Sequence, residues 1–360
     1  MNMSSIDNLR HFTTSKVTNN FLDYANNYGF GDLHFKIDKA TGMKAVIAIH
    51  SNKLGPALGG CRFIEYPNHT SAIEDAIRLA RGMSYKAASV NLPLGGGKAV
   101  IIKPSVPFDR DAYFYAFGQF INDLGGRYIT ALDSGTQLQD MDIIAQHTPY
   151  VASLSRHNGD PSPSTAKGVL QGINAAVAFK LGRNNLEGLH VAIQGLGHVG
   201  YLLAGHLHKA GALLTVADIN SALVKKAIDE FGAIGVATDL IHKVPCDVFS
   251  PCALGAIIND VTINQLQTSI IAGAANNQLA HHYHGKLLHD KGITYAVDYV
   301  ANAGGLLFAA GKYLKTPQDE VNQKIDNIYA ILFNIFEQSG QENKPTSEVA
   351  DAIAEEKLAQ

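Results

Sequence analysis

The chain has 360 residues, a net charge of −3, 46% hydrophobic and 17% charged residues, which is ordinary globular material and enough for two cores. The near-neutral charge gives no attraction for nucleic acid or an anionic membrane surface, and no apolar run reaches the ~18 residues of a membrane span. Met1-Asn2-Met3-Ser4-Ser5-Ile6-Asp7 has no basic segment followed by an apolar one, so no secretory signal is expected and the reading is cytoplasmic.

In chain order, Ser71-Ala72-Ile73-Glu74 reads as a capping box, with Ile73, Ala76, Ile77, Ala80 and Met83 behind it at helical spacing. This helix delivers Lys86 at or just beyond its end. Leu94-Gly95-Gly96-Gly97-Lys98 reads as a glycine loop, and Ala99-Val100-Ile101-Ile102 as the buried strand after it. A helix from about Asp109 carries Phe114, Phe117, Ile121 and Leu124 on one face and ends at Gly125-Gly126. Arg127-Tyr128-Ile129-Thr130-Ala131-Leu132-Asp133 follows as a strand with Asp133 at its carboxyl end. A loop at 158–164, rich in Asn, Gly, Pro and Ser, marks a domain boundary. After it come a helix with Val169, Ile173, Ala176 and Val177, then short strands alternating with helices. Val321, Ile325, Ile328, Leu332 and Ile335 share one face, and a last short helix begins after Lys344-Pro345. The alternation argues for an α/β fold.

Cys61, Cys246 and Cys252 are too few and too widely spaced for a disulfide framework or a zinc knuckle. The fifteen histidines form no His-Glu-x-x-His helix, and His281, His282 and His284 read as surface or helix-end residues; no metal is expected.

Two lysines, Lys86 and Lys98, come to one glycine-lined cleft in this reading. One can hold a carboxylate; the other, desolvated and crowded by its neighbour's charge, can lose its proton near neutral pH and act as a base. Taken alone, the glycine run is equally a tight loop with an exposed charge. It is not a P-loop, because Leu92 stands where the first glycine belongs and Ala99 replaces the magnesium-binding hydroxyl.

Leu189-His190-Val191-Ala192-Ile193-Gln194 reads as a strand, followed by Gly195-Leu196-Gly197-His198-Val199-Gly200 and a helix with Leu202, Leu203, His206 and Leu207. This is a dinucleotide fingerprint in its strand–turn–helix setting: Gly195 for the turn, Gly197 for close approach of pyrophosphate, Gly200 for helix packing. Asp218, closing the strand Leu213-Leu214-Thr215-Val216-Ala217, suits ribose hydroxyls and repels a 2′-phosphate, which favours NAD over NADP.

Leu54-Gly55-Pro56-Ala57-Leu58-Gly59-Gly60, the segment around Lys86, Leu94-Gly95-Gly96-Gly97-Lys98 and Pro251-Cys252-Ala253-Leu254-Gly255 together resemble the leucine/phenylalanine/valine dehydrogenases. So do Ala272-Gly273-Ala274-Ala275-Asn276-Asn277-Gln278-Leu279 and Asn302-Ala303-Gly304-Gly305, all in the family's order. The resemblance implies reversible, NAD-dependent oxidative deamination of an L-amino acid to a 2-oxo acid, ammonium and NADH. It implies that Lys86 binds the substrate carboxylate with backbone near Gly59 and Gly60, that Lys98 is the general base, and that Asp133 shuttles protons beside the amino group. Met83 would contact substrate, and Asn277 would help hold substrate or nicotinamide. Thr165, Leu196, His198, Val199, Ala253 and Asn276 would join Gly195, Gly197, Gly200 and Asp218 at the cofactor.

The family's side-chain pocket matches Leu58, Ala131, Leu306 and Ala309, all apolar, which argues against glutamate. The chain departs from the leucine enzymes at Leu132, where an acidic residue is frequent, and at Ala309, where valine is common. Leucine, valine or isoleucine is the leading reading of the substrate; phenylalanine or tryptophan, and a non-catalytic NAD sensor, are the alternatives. The expected architecture is α/β in two domains separated by a cleft. Residues 1–152 would bind substrate and form a homo-oligomer, with a tail at about 345–360 packed back on them, and residues 153–344 would be a Rossmann-type NAD domain.

Overall fold

Two separate sheets divide the sequence, one built from residues 32–131 and one from 190–295. The computed structural model describes residues 21–360 except Phe30 and Asn158. The leader reading at residues 1–7 and the first residue of the predicted 158–164 loop therefore lie outside the described residues.

After helix α1 (Phe21–Asn27) the chain forms β1 (Asp32–Ile37), β2 (Lys44–Ser51) and β3 (Ala57–Ile64). Helix α2 (His69–Ser89) leads to β4 (Gly95–Ile102), helix α3 (Arg110–Asp123) to β5 (Tyr128–Ala131), and α4 (Leu138–Ile144) follows. The strand order is β1-β2-β4-β3-β5: β3 runs parallel to β4 and β5, while β1 and β2 are antiparallel. Helix α2 covers one face through Ala72, Ala76 and Ala80, small residues that bring it close to Val46, Ala48 and Val100. Helices α3 and α4 cover the other face through Phe114, Phe117, Ile121, Met141 and Ile144, against Ile47, Phe63 and Ile101.

The glycine run is strand, not loop: Gly95, Gly96 and Gly97 begin β4 and are buried. A Cβ on Gly96 would overlap the backbone of Ser84 on α2, and one on Gly97 would stand 2.9 Å from the Tyr128 ring. Glycine here serves close packing, not a turn. The cap of α2 also differs from expectation. Asn68, not Ser71, is the N-cap, accepting from the Ser71 N–H at 2.9 Å, and Ser71 lies one turn inside. Asp109 caps α3 as expected, accepting from Ala112 N at 3.1 Å.

Helix α5 (Ser162–Leu181) starts inside the predicted loop, which is correspondingly shorter, and Pro163 suits its first turn. The second sheet follows: β6 (His190–Gln194), α6 (His198–Lys209), β7 (Leu213–Ala217), α7 (Ser221–Phe231), β8 (Ile234–Gly235), β9 (Val248–Pro251) and β10 (Ile270–Ile271). Then come α8 (Tyr283–Asp290), β11 (Thr294–Tyr295), α9 (Asp298–Ala301), α10 (Gly304–Leu314), α11 (Gln318–Asp326), α12 (Ile328–Glu342) and α13 (Thr346–Ala359). The order β11-β10-β9-β6-β7-β8, all parallel, is a doubly wound sheet whose strand order reverses beside β6, where dinucleotides bind in such folds. His284, expected at the surface or at a helix end, is the second residue of α8 and fully buried, its Nε2 3.1 Å from Asp260 Oδ1. The apolar face at 321–335 spans two helices broken at Asn327, and all five of its residues are buried.

Helix α13 lies on α2. Tyr85 Oη donates to Glu355 at 2.5 Å, Lys357 Nζ donates to Asn91 Oδ1 at 2.7 Å and to Ala88 O at 3.2 Å, and Lys53 Nζ donates to Ala359 O at 3.3 Å. The end of α2, which carries Lys86, is thereby braced by the last helix. Among the described residues, no helix is long and apolar enough to cross a membrane, and no three His, Cys, Asp or Glu side chains group as metal ligands.

Candidate active site

Lys98 is the fourth residue of β4, 6% exposed and flanked by strands on both sides. The β3 residues opposite are Gly59 and Gly60, which sit between the paired positions Leu58↔Gly96 and Cys61↔Ala99. A Cβ on Gly59 would overlap the Gly97 carbonyl oxygen, so both strands need glycine to approach. Strand β5 ends at Ala131, paired with Gly60, and the chain returns Asp133 over that glycine. Asp133 Oδ2 contacts Lys98 Nζ directly. Its loop is held by Thr136, whose Oγ1 accepts from Asp133 N at 2.9 Å, and by Arg110, which donates to Gly135 O at 3.0 Å while forking onto Asp140 at 2.6 and 2.7 Å.

Burial is the main force on Lys98, and it pulls the amine down to about 7. Next comes the Arg62 guanidinium; Lys86 contributes least, and Asp75 and Cys61 act in the opposite direction. The crowding cation expected from sequence was Lys86. The structure puts Arg62 ahead of it, because Arg62 projects from β3, the strand beside Lys98, whereas Lys86 lies a helix away.

Lys86 sits half-buried in the last turn of α2, and its Nζ donates to Asn276 Oδ1 at 3.2 Å. That oxygen also accepts from Asn302 Nδ2 at 2.8 Å. The contact joins a lysine of the first unit to the loop after β10 in the second. Burial lowers Lys86 to about 8, opposed by the buried Asp298 carboxylate. Asn277, beside it, has φ of 53° and is exposed, while Gln278 ties the loop to Gly273 O and Ala275 O at 2.9 and 3.0 Å.

At the second sheet Gly195 has φ of 96°, and a Cβ there would meet Ala253 at 2.8 Å. A Cβ on Gly200 would overlap Gly195 O, so helix packs on turn. A Cβ on Gly197 would meet nothing within 4 Å, which leaves open space before the first turn of α6, where His198 and Val199 lie. Asp218 accepts from Leu196 N at 2.6 Å and from Asn220 N at 2.7 Å. Leu196 is therefore buried with its amide engaged, and does not present that amide to a ligand. Gln194 Oε1 is buried with no partner, an orphaned acceptor beside the turn. The open cradle at Gly197, the helix N-terminus and the terminal aspartate fit a dinucleotide.

Thr165 packs against Gly305, whose Cβ would stand 2.6 Å from its Oγ1. Of the side-chain pocket residues, Met83, Ala131, Leu306 and Ala309 are half-buried. Leu58 is 2% exposed and packs in a cluster with Ala87, Leu92, Leu94 and Ile129 that continues into the second sheet. Phe308 lies against Gly159, in the space a side chain there would take.

Family models match two stretches: the Glu/Leu/Phe/Val dehydrogenase dimerisation domain at residues 31–150, and the glutamate/leucine/phenylalanine/valine dehydrogenase domain at 225–360. A leucine dehydrogenase of Thermoactinomyces intermedius is 48% identical over 340 residues, 94% of this chain and 93% of the relative. The chain belongs to the Glu/Leu/Phe/Val dehydrogenase family. Another relative, the leucine dehydrogenase of Geobacillus stearothermophilus, is 48% identical over 338 residues, 93% of this chain and 92% of its own. The solved structure of L-tryptophan dehydrogenase from Nostoc punctiforme superposes with a TM-score of 0.85 at 40% identity, covering 94% of this chain and 98% of that one. As a family member the protein is an amino-acid dehydrogenase, an oxidoreductase of a group that works with NAD(P).

The sequence motifs assign no role to Arg62, Asp75, Asp298 or Asn302. Arg62 had a signal: a cation inside the apolar strand Ala57–Ile64 cannot be buried without a carboxylate partner.

Proposed function

We propose that this dehydrogenase catalyses the reversible, NAD-dependent oxidative deamination of an apolar L-amino acid to its 2-oxo acid and ammonium. The observation that carries this reading is Lys98, a lysine buried in mid-sheet, in contact with Asp133 and brought down to about 7. Such an amine is a base at physiological pH, which an ordinary lysine is not.

In this reading Lys86 holds the substrate carboxylate as an ammonium, assisted by backbone at Gly59 and Gly60, and Asn277 reaches the substrate from the second unit. The nicotinamide, when bound, supplies a two-electron oxidant that accepts hydride from Cα. Asp133 first takes a proton from the substrate ammonium. Lys98 then removes a proton from water as its oxygen bonds to the C=N carbon. Asp133 returns a proton to nitrogen and then, as the C–N bond breaks, takes up the proton of the new hydroxyl, so that the 2-oxo acid forms and ammonia leaves to be protonated to ammonium. Gly195, Gly197, Gly200, His198, Val199, Ala253, Thr165 and Asn276 would line the cofactor, and Asp218 would take the ribose hydroxyls and disfavour NADP.

The half-buried Ala131, Met83, Leu306 and Ala309 give an apolar side-chain wall, and the leucine dehydrogenases at 48% identity favour leucine, valine or isoleucine. The small Ala309 and the L-tryptophan dehydrogenase at 43% identity over 319 residues support an aromatic substrate as the second reading. The match to a dimerisation domain and the exposed Ile37 on the edge strand β1 support a homo-oligomer. A cytoplasmic site of action goes with this reading.

NADH formation by purified protein, offered leucine, valine, isoleucine, phenylalanine, tryptophan, glutamate and a 2-hydroxy acid in turn, tests the proposal. Turnover of an apolar amino acid supports it and ranks the pocket. Silence on every amino acid with NAD still bound overturns it in favour of a sensor.

A further inference from the structure

A carboxylate in contact with a lysine ordinarily holds that lysine in its charged form. Lys98 therefore faces a conflict, since Asp133 touches the amine that must be neutral to act as a base. The surroundings contain a counterweight. Arg62 points from β3 with Nη1 2.7 Å from Asp75 Oδ2 and Nη2 4.0 Å from Asp133 Oδ1. Asp75, on α2, is itself shared: Arg78 donates to Oδ1 at 2.8 Å, and Tyr66 Oη donates to Oδ2 at 2.7 Å. Arg62 Nε is buried with no hydrogen-bond partner.

Resting on the base assignment above, we propose that Arg62 is a positioning residue for this reaction: anchored by Asp75, it shares the Asp133 carboxylate with Lys98 and so limits that carboxylate's hold on the amine. The ionisable groups around Lys98 are Arg62 and Cys61 of β3, Asp75 and Lys86 of α2, and Asp133 after β5. Arg62 is the strongest cation among them. Its planar fork spans two carboxylates, which a lysine does less well.

The test is the acidic limb of kcat/KM against pH, which reports the base of the free enzyme, measured with the amino acid turned over fastest. In R62Q, Asp133 acts on Lys98 unshared, and the limb moves up by about one pH unit or more, an approximately tenfold loss near pH 7. R62K restores part of the shift. In D75N the opposite holds: one carboxylate near Lys98 is gone and Arg62 turns wholly to Asp133, so the limb moves down. A limb that stays in place in folded R62Q, with only kcat reduced or KM raised, overturns the proposal. Where R62Q does not fold, judged by circular dichroism and NAD binding, the D75N limb decides alone, and a static limb or an upward shift there overturns it. K98A separates this from the base assignment: full turnover in K98A removes Lys98 as base, whereas a dead K98A with a static R62Q limb removes only the role of Arg62.

Discussion

Gly60 and Asp133 compete for one space: a Cβ on Gly60 would stand 2.7 Å from Asp133 Oδ2, the oxygen that contacts Lys98. The glycine is what allows the carboxylate to lie over the strand. Gly60→Ala should therefore displace Asp133 while leaving the sheet in place. Turnover should drop by roughly a hundredfold, the scale of a 1 Å misplacement at a reacting centre, with thermal stability lowered only slightly. Parallel kinetics and melting curves check this; a mutant as active as the parent would contradict it.

The two lysines divide the pH range. Lys98 is neutral above about 7, and Lys86 is charged below about 8. For the free enzyme, kcat/KM should rise as pH passes the first value and lose carboxylate binding as it passes the second. Arginine stays protonated at all working pH. Lys86→Arg, if it retains turnover, should abolish the second loss, with KM for the amino acid flat in alkali. KM against pH in the two proteins is the measurement.

Asp218 spends its carboxylate on the Leu196 and Asn220 amides, and its charge stands at the end of β7. Asp218→Ser should keep part of that hydrogen bonding and remove the repulsion. The ratio of kcat/KM for NADP to that for NAD should rise roughly tenfold or more. Steady-state kinetics with both dinucleotides decides it.

Gly96 lies so close to Ser84 that any side chain overlaps the α2 backbone. Gly96→Ala should cost at least about 1–3 kcal/mol through forced separation of helix and sheet. Urea unfolding followed by circular dichroism would show it, and an unchanged midpoint would refute the packing argument.

The α/β class was readable because its signals are local: the fingerprint from Gly195 to Gly200 names its own turn, and Phe114, Phe117 and Ile121 name the buried face of α3. The glycine run misled because glycine speaks for turns in sequence, and only the approach of α2 explains it inside β4. The cap was misassigned because Ser71 and Asn68 are both good caps three residues apart, and register decided between them. Sequence motifs named Lys86, Lys98 and Asp133 but not the balance of charge around them. Arg62, Asp75 and Asp133 are spread over seventy-odd residues and meet only after β3, α2 and β5 are packed.

Lys53 bonds to Ala359, 306 residues later. During synthesis the first sheet emerges long before α13 exists to lie on α2. The face of α2 that carries Tyr85 and Arg81 must wait in water until nearly the whole chain has been translated, and the turn holding Lys86 gains its brace last. Late closure of this kind raises contact order and slows folding. A chain clipped before α13 would lose the bonds from Glu355 to Tyr85 and from Lys357 to Ala88 and Asn91, and with them the brace on the turn that carries Lys86.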